Sequence, residues 1–201
     1  FVLGEWTRAQ GLVYDFFDRE RDCAAPVDEP CEAYAVSVDY GTANPASFGL
    51  WGRRGTVWYR IDEYYYASRR EGKQKTDAEY VEELWRLLDG RRPDVVVVDP
   101  SAASFREELI RRGWTVYRAE NEVLSGIRRT AELLRAGQLV ICSPCEDAIR
   151  EFGLYRWDTA ATGDRVVKEH DHAMDDIRYF AVTVASRRSE GFFAGAVERS
   201  G

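Results

Sequence analysis

The sequence predicts an α/β fold built on a mixed β-sheet, an antiparallel meander followed by parallel strands, with helices flanking it. Three observations carry that expectation. Residues 33–66 hold three strand-like runs separated by short turns. Residues 94–99 read Asp-Val-Val-Val-Val-Asp, an apolar run of the kind buried on both faces in parallel sheets. From residue 76 onward, helical stripes alternate with short apolar runs, the pattern of strand–helix units.

The elements follow in order. Ala33 to Val38 reads as a strand ended by Asp39-Tyr40-Gly41-Thr42. Ala46 to Trp51 is a second strand, Gly52-Arg53-Arg54-Gly55 a turn, and Thr56 to Tyr66 a third strand rich in β-branched and aromatic residues. Thr76 to Leu88 shows helical spacing, with Tyr80, Leu84, Leu87 and Leu88 on one face. Thr76 and Glu79 fit a capping box at its start. Beyond the valine strand, helices are expected over Ser101–Arg112, Glu122–Ala136, Cys145–Phe152 and His172–Ser186. Short strands separate them at Thr115–Tyr117 and Leu139–Ile141. The last helix carries Met174, Ile177, Ala181 and Val184 on one stripe. Ser143-Pro144 reads as a helix start, with Ser as cap and Pro at the first position.

Composition bounds the rest. The chain has 201 residues, 45% of them hydrophobic and 31% charged, which suits one globular domain with its own core. No apolar run is long enough for a membrane span. The opening Phe1-Val2-Leu3-Gly4-Glu5 is too short for a signal peptide, and the first residue is not Met, so the chain reads as a piece of something longer. Residues 1–32 carry scattered aromatics, Trp6, Tyr14, Phe16 and Phe17, then Pro26, Pro30 and several acids. They read as a lead-in, with the organised domain at 33–201. Cys23, Cys31, Cys142 and Cys145 lack the second close pair that a zinc site wants, and read as plain reduced thiols of a cytoplasmic protein. The net charge of -7 speaks against strong autonomous binding of nucleic acid. Basic pairs nevertheless recur: Arg53-Arg54, Arg69-Arg70, Arg91-Arg92, Arg111-Arg112, Arg128-Arg129 and Arg187-Arg188. Each alone reads as a solvated turn or helix end, and a few could line a groove.

Chemistry gathers at two strand ends. Asp39 closes the first strand and Asp99 the valine strand. In open α/β sheets, sites form at the carboxyl ends of strands. If the two strands are neighbours, two carboxylates meet at one edge and repel, unless a proton is shared or a cation sits between them. Oxygen donors of this kind favour Mg²⁺ or Mn²⁺. The last helix adds His172 and Asp175, three residues apart and so on one face. Such an acidic pocket suits two ions about 3.5–4 Å apart, one activating water and one stabilising the leaving oxygen of a phosphodiester. Taken singly, each residue has a plainer reading: a turn or cap aspartate, acids answering a helix dipole, a surface histidine.

Four stretches in order give the pattern a family. They are Val36-Ser37-Val38-Asp39-Tyr40-Gly41-Thr42-Ala43-Asn44-Pro45 with Phe48-Gly49-Leu50; Val98-Asp99-Pro100-Ser101-Ala102-Ala103-Ser104-Phe105; Asn121-Glu122-Val123 with Gly126-Ile127; and Val167-Lys168-Glu169-His170-Asp171-His172-Ala173-Met174-Asp175-Asp176-Ile177-Arg178-Tyr179. Together they resemble the nuclease domain of the large terminase subunit of tailed bacteriophages, a ribonuclease H-like fold. Trp6 through Gly11-Leu12-Val13-Tyr14 is similar to the segment that leads there from the ATPase domain. The resemblance implies a metal-dependent endonuclease that cuts concatemeric double-stranded viral DNA when packaging starts and ends. It implies Asp39, Asp99 and Asp175 as metal ligands, with His172 beside them. Asp176 stands where the family usually has Ala, so Asp175 and Asp176 are both candidates for the third ligand and Asp175 is the expected one. Asp171 is expected as a helix cap, and His170 stands where the family has Asn. Arg53, Arg54 and Lys168 are expected phosphate contacts.

The implied partners are viral DNA, the portal protein, the small terminase subunit and the ATPase domain of the same subunit, at the procapsid in the host cytoplasm. No Gly-x-x-x-x-Gly-Lys-Ser/Thr loop occurs, so no ATP hydrolysis is expected of this stretch. Two rival readings remain open. One is another ribonuclease H-like activity, a junction resolvase or a hybrid nuclease. The other is a docking module for portal or DNA whose carboxylates are structural.

Overall fold

The structure, a computed structural model, describes residues 11–27 and 30–186. Trp6 and the Arg187-Arg188 pair lie outside the described residues. In chain order the elements are α1 (Arg19–Asp22), β1 (Cys23–Ala24), β2 (Ala33–Asp39), β3 (Ala46–Arg54), β4 (Val57–Tyr66), α2 (Ser68–Glu71), α3 (Asp77–Leu88) and β5 (Val95–Val98). Then come α4 (Ala103–Arg111), β6 (Val116–Arg118), α5 (Val123–Arg135), β7 (Leu139–Cys142), α6 (Glu146–Phe152) and α7 (His172–Phe180), which continues as a π-helical turn over Ala181–Ala185.

The strands form one seven-stranded sheet in the order β1-β7-β4-β3-β2-β5-β6. β3 runs antiparallel to β2 and β4, and every other pairing is parallel. The other six strands therefore all point one way. Their carboxyl ends share a single edge, where Asp39 and Asp99 both lie.

The valine run behaves as its sequence requires. Val95 and Val97 pack with the cluster that holds α5, α6 and α7, while Val96 and Val98 pack with α3 and α4 on the other face. All four are at most 1% exposed. The same alternation in β2 sends Val36 and Val38 toward α3 and α4, which leaves Ser37 and Asp39 on the face of α7. The capping box forms as expected, with Thr76 and Glu79 exchanging hydrogen bonds at the start of α3.

Two local expectations fail. The helix after β7 begins at Glu146 and not at Ser143-Pro144. Ser143 instead continues the edge pairing, its N–H donating to the Ala24 carbonyl at 2.9 Å. Order also begins before Glu32. Tyr14 is 1% exposed against Phe152 and Tyr155, Phe17 stacks on Phe152 at 3.9 Å, and β1 pairs with β7. This stretch is short and aperiodic, so only its tertiary partners reveal that its aromatics are core.

Candidate metal centre

β2 and β5 are neighbours, with Val38 paired to Val98. The strand ends therefore set Asp39 and Asp99 side by side, and the Asp99 N–H donates to the Val38 carbonyl at 3.0 Å. Asp99 closes a tight turn: its carboxylate accepts the Ser101 N–H at 2.8 Å and the Ser101 hydroxyl at 2.9 Å. Asp39 makes a different contact. One of its oxygens lies 2.9 Å from His172 Nδ1, on the first turn of α7.

α7 crosses the sheet face over β2 and β3 and brings Asp175 to the same edge. Asp175 Oδ1 accepts from Arg178 Nη2 at 2.9 Å, and Oδ2 accepts from Lys168 Nζ at 3.3 Å. Lys168 also reaches Asp171 at 3.2 Å. Arg178 is buried, and its other hydrogen bond goes to Asn121 Oδ1 at 2.9 Å. It lies against Gly126, where a Cβ would fall 2.6 Å from Arg178 Cγ. Asn121 and Gly126, two residues of the third family-like stretch, are thus seats for the arginine of the fourth.

The electrostatics bear the mark of crowded acids. Burial pushes the Asp39 carboxyl up to about 7; the charges of Asp175 and Asp99 add to that, and the His172 hydrogen bond opposes it. Burial alone would lower His172, but the bond to Asp39 and the nearby charges of Asp39, Asp171 and Glu151 carry it above its ordinary value. Asp39 and His172 therefore share a proton around neutral pH.

Asp176 goes elsewhere. It is fully buried between α7 and the sheet, where Arg60 Nη2 donates to Oδ2 at 3.0 Å and Arg60 Nη1 contacts Oδ1. The Ser37 hydroxyl donates to Oδ1 at 2.8 Å, and the Ser47 hydroxyl to Oδ2. Burial raises its carboxyl while Arg60 and the two serines oppose the shift. Arg53 and Arg54 also lie apart from the centre. The register pairs Asp39 with Ser47 and Ala33 with Arg53, so the basic turn sits at the opposite end of the sheet. Six strand residues separate the two ends, about 20 Å at ~3.3 Å each.

Asp39, Asp99, His172, Asp175 and Lys168 are thus brought together, while Asp176, Arg53 and Arg54 are not. Among the described residues no three His, Cys, Asp or Glu side chains are yet gathered around one point as a finished cage, because Ser101 holds Asp99 and two protein cations hold Asp175. Sequence reasoning passed over Arg178 and Glu151. A charged residue at a helix position otherwise expected to be apolar was the available signal for each.

The fold is of the ribonuclease H-like class. It superposes on the nuclease domain of the phage P22 large terminase with a TM-score of 0.69 at 18% identity, covering 88% of this chain and 94% of that one. The large terminase nuclease of thermophilic phage G20c, solved with bound magnesium and with bound cobalt, matches with TM-scores of 0.65 and 0.64 at 17% identity, covering 86% of this chain and 97% of that one. Sequence narrows the class. The full large terminase of another thermophilic bacteriophage, solved in complex with ADP, is 42% identical over 92% of this chain and 48% of its own, with a TM-score of 0.86. The large terminase subunit of Escherichia phage T5 is 27% identical over 128 residues, 60% of this chain and 29% of that protein. No family model matches. By sequence and by fold the chain is a relative of the large terminases and corresponds to their nuclease domain. It spans about half the length of the terminase solved with ADP.

Proposed function

We propose that this domain is the metal-dependent DNA endonuclease of a viral packaging terminase. The observation that carries the reading is the meeting of Asp39, Asp99 and Asp175 with His172 on one sheet edge. The donor set fits a hard divalent cation: three carboxylates and no thiolate. The upward push on Asp39 from two neighbouring carboxylates is the strain that such a cation relieves. The magnesium and cobalt bound by the G20c nuclease support the same choice. When bound, one or two Mg²⁺ or Mn²⁺ ions supply Lewis acidity toward a phosphodiester and its attacking water.

The chain's own residues have separable roles. Asp39, Asp99 and Asp175 hold the cation. His172 orients Asp39 and holds or releases the proton between them. Arg178 fixes one oxygen of Asp175 and leaves the other toward the edge. Lys168, exposed and beside that oxygen, is placed to meet a phosphate. We extend the reading to the whole protein as follows: the substrate is concatemeric double-stranded viral DNA, and the partners are the portal, the small subunit and the motor domain of the same subunit, at the procapsid in the host cytoplasm. The net charge of -7 fits a cutter that relies on its motor to hold DNA.

The test is plasmid nicking in Mg²⁺ or Mn²⁺, with junction and hybrid substrates alongside. Nicking of plasmid by the wild type and its loss in Asp39→Ala are expected. Full activity of that variant would sink the assignment. Preference for junctions or hybrids would move it to another ribonuclease H-like activity.

A further inference from the structure

We infer that Glu151 is a positioning residue of this centre: with Glu63, Arg60 and Asp176 it closes a ring of polar contacts that fixes α7 on both sides of Asp175. The inference rests on the nuclease reading and adds to it a residue that touches neither metal nor DNA.

The ring starts from a missing cap. The first N–H groups of a helix need acceptors. Asp171 precedes α7 but makes no side-chain capping bond. The Ala173 N–H is instead accepted by Glu151 Oε2 at 2.7 Å, across from α6. Glu151 is fully buried, and Tyr65 donates its hydroxyl to the other oxygen at 2.7 Å. α6 repeats the device. It has no cap of its own, and the Asp147 N–H donates to Glu63 Oε1 at 2.6 Å and the Ala148 N–H to Glu63 Oε2 at 3.2 Å. Glu63 pairs with Arg60 at 3.2 Å, and Arg60 pairs with Asp176, back on α7.

The ring thus touches α7 twice, at the backbone of residue 173 and the side chain of residue 176. Two anchors at different angles around a helix set its rotation as well as its depth. Asp175 lies between them, and His172 shares its face. Charge-assisted bonds from helix N–H groups to buried carboxylates are among the stiffer contacts available. A misplacement of about 1 Å in such a centre can cost about a hundredfold in rate. Glu151 acts through α7, and so through the placing of His172 and Asp175.

The experiment compares Glu151→Ala, Glu151→Gln and Tyr65→Phe with the wild type. It measures plasmid nicking and Mn²⁺ binding followed by electron paramagnetic resonance, well below each variant's melting temperature. Glu151→Ala should lower kcat about tenfold or more, leave KM for DNA within about twofold, and weaken Mn²⁺ binding several-fold. Glu151→Gln keeps an acceptor for the Ala173 N–H and should recover kcat to within about threefold. If Glu151→Ala does not fold, Tyr65→Phe decides: it frees one Glu151 oxygen and should lower kcat about two- to threefold. Folded Glu151→Ala, or failing that Tyr65→Phe, with wild-type kcat and Mn²⁺ affinity overturns the inference. A wild type that binds Mn²⁺ but nicks nothing overturns the nuclease reading alone, and Mn²⁺ affinity then decides the positioning. A wild type that does neither overturns both.

Discussion

The two sides of α7 carry the same parts and use them differently. Asp176 faces the sheet and meets Arg60, which lies against Gly49. Asp175 faces the edge and meets Arg178, which lies against Gly126. Each is an aspartate, a buried guanidinium and a glycine that leaves room for it. The difference is in the remaining lone pairs. Both Asp176 oxygens are filled by Arg60 and two serine hydroxyls. Asp175 gives one oxygen to Arg178, and the other has only Lys168, a side chain 62% exposed. A carboxylate whose acceptors are all taken by fixed donors is structural. One with an oxygen held by a mobile cation can exchange that cation for another.

The largest expected effect breaks the closed side. Asp176→Ala leaves the Arg60 guanidinium, 0% exposed, without its carboxylate, and should cost about 3–5 kcal/mol of stability in urea unfolding. A loss below about 1 kcal/mol would show that the pair is not what seats α7.

The next tests the start of the helix. Burial pushes the Glu151 carboxyl up to about 7 from an ordinary 4.5, against the hydrogen bonds from Tyr65 and Ala173. For an acid raised in this way the folded state binds more protons than the unfolded one between those values. Stability must therefore fall as pH rises from about 4.5 to about 7, by on the order of 3 kcal/mol for this group. The difference in unfolding free energy between wild type and Glu151→Gln, followed across that window, isolates it from Asp39, which titrates alike in both. A difference that stays flat with pH would mean Glu151 is ionised throughout.

Much of this could be read from the residues, and the unread part has a common cause. Asp39 and Asp99 were visible as strand ends because the valine run and the alternation of β2 define both strands locally. His172 and Asp175 share a face by helical spacing alone. The choice between Asp175 and Asp176 could not be made this way, because the donors that enclose Asp176 come from Ser37, Ser47 and Arg60, more than a hundred positions away. The misplaced start of α6 has the same origin. Ser143-Pro144 has the local form of a cap, but Glu63, 84 positions before Asp147, takes the helix N–H groups. The packing of Tyr14 and Phe17 on α6 likewise depends on residues distant in sequence.

On the open side the expected effect is on chemistry more than on folding. Asp175→Asn keeps an acceptor for Arg178 and loses the charge that faces the edge. Nicking in Mn²⁺ should fall about a hundredfold or more, about 2.7 kcal/mol in barrier, while stability drops by about 1–2 kcal/mol. Activity within about threefold of wild type would remove Asp175 from the ligand set and undo the contrast with Asp176.

The glycines give the finest comparison. A Cβ at Gly49 would fall 2.0 Å from Arg60 Nη1 and 3.0 Å from Asp176 Oδ1, and one at Gly126 would fall 2.6 Å from Arg178 Cγ. Either arginine must shift, and overpacking of this kind costs about 1–3 kcal/mol. The stability losses of Gly49→Ala and Gly126→Ala should therefore be similar. Their activities should differ. Gly126→Ala displaces the arginine that aims Asp175, so cleavage per folded molecule should fall about five- to tenfold. Gly49→Ala displaces an arginine behind the sheet-facing anchor, and its cleavage should fall by about twofold at most. Equal losses of activity would mean that the two sides of α7 are not separable, and that the sheet-facing anchor controls the centre as tightly as Arg178 does.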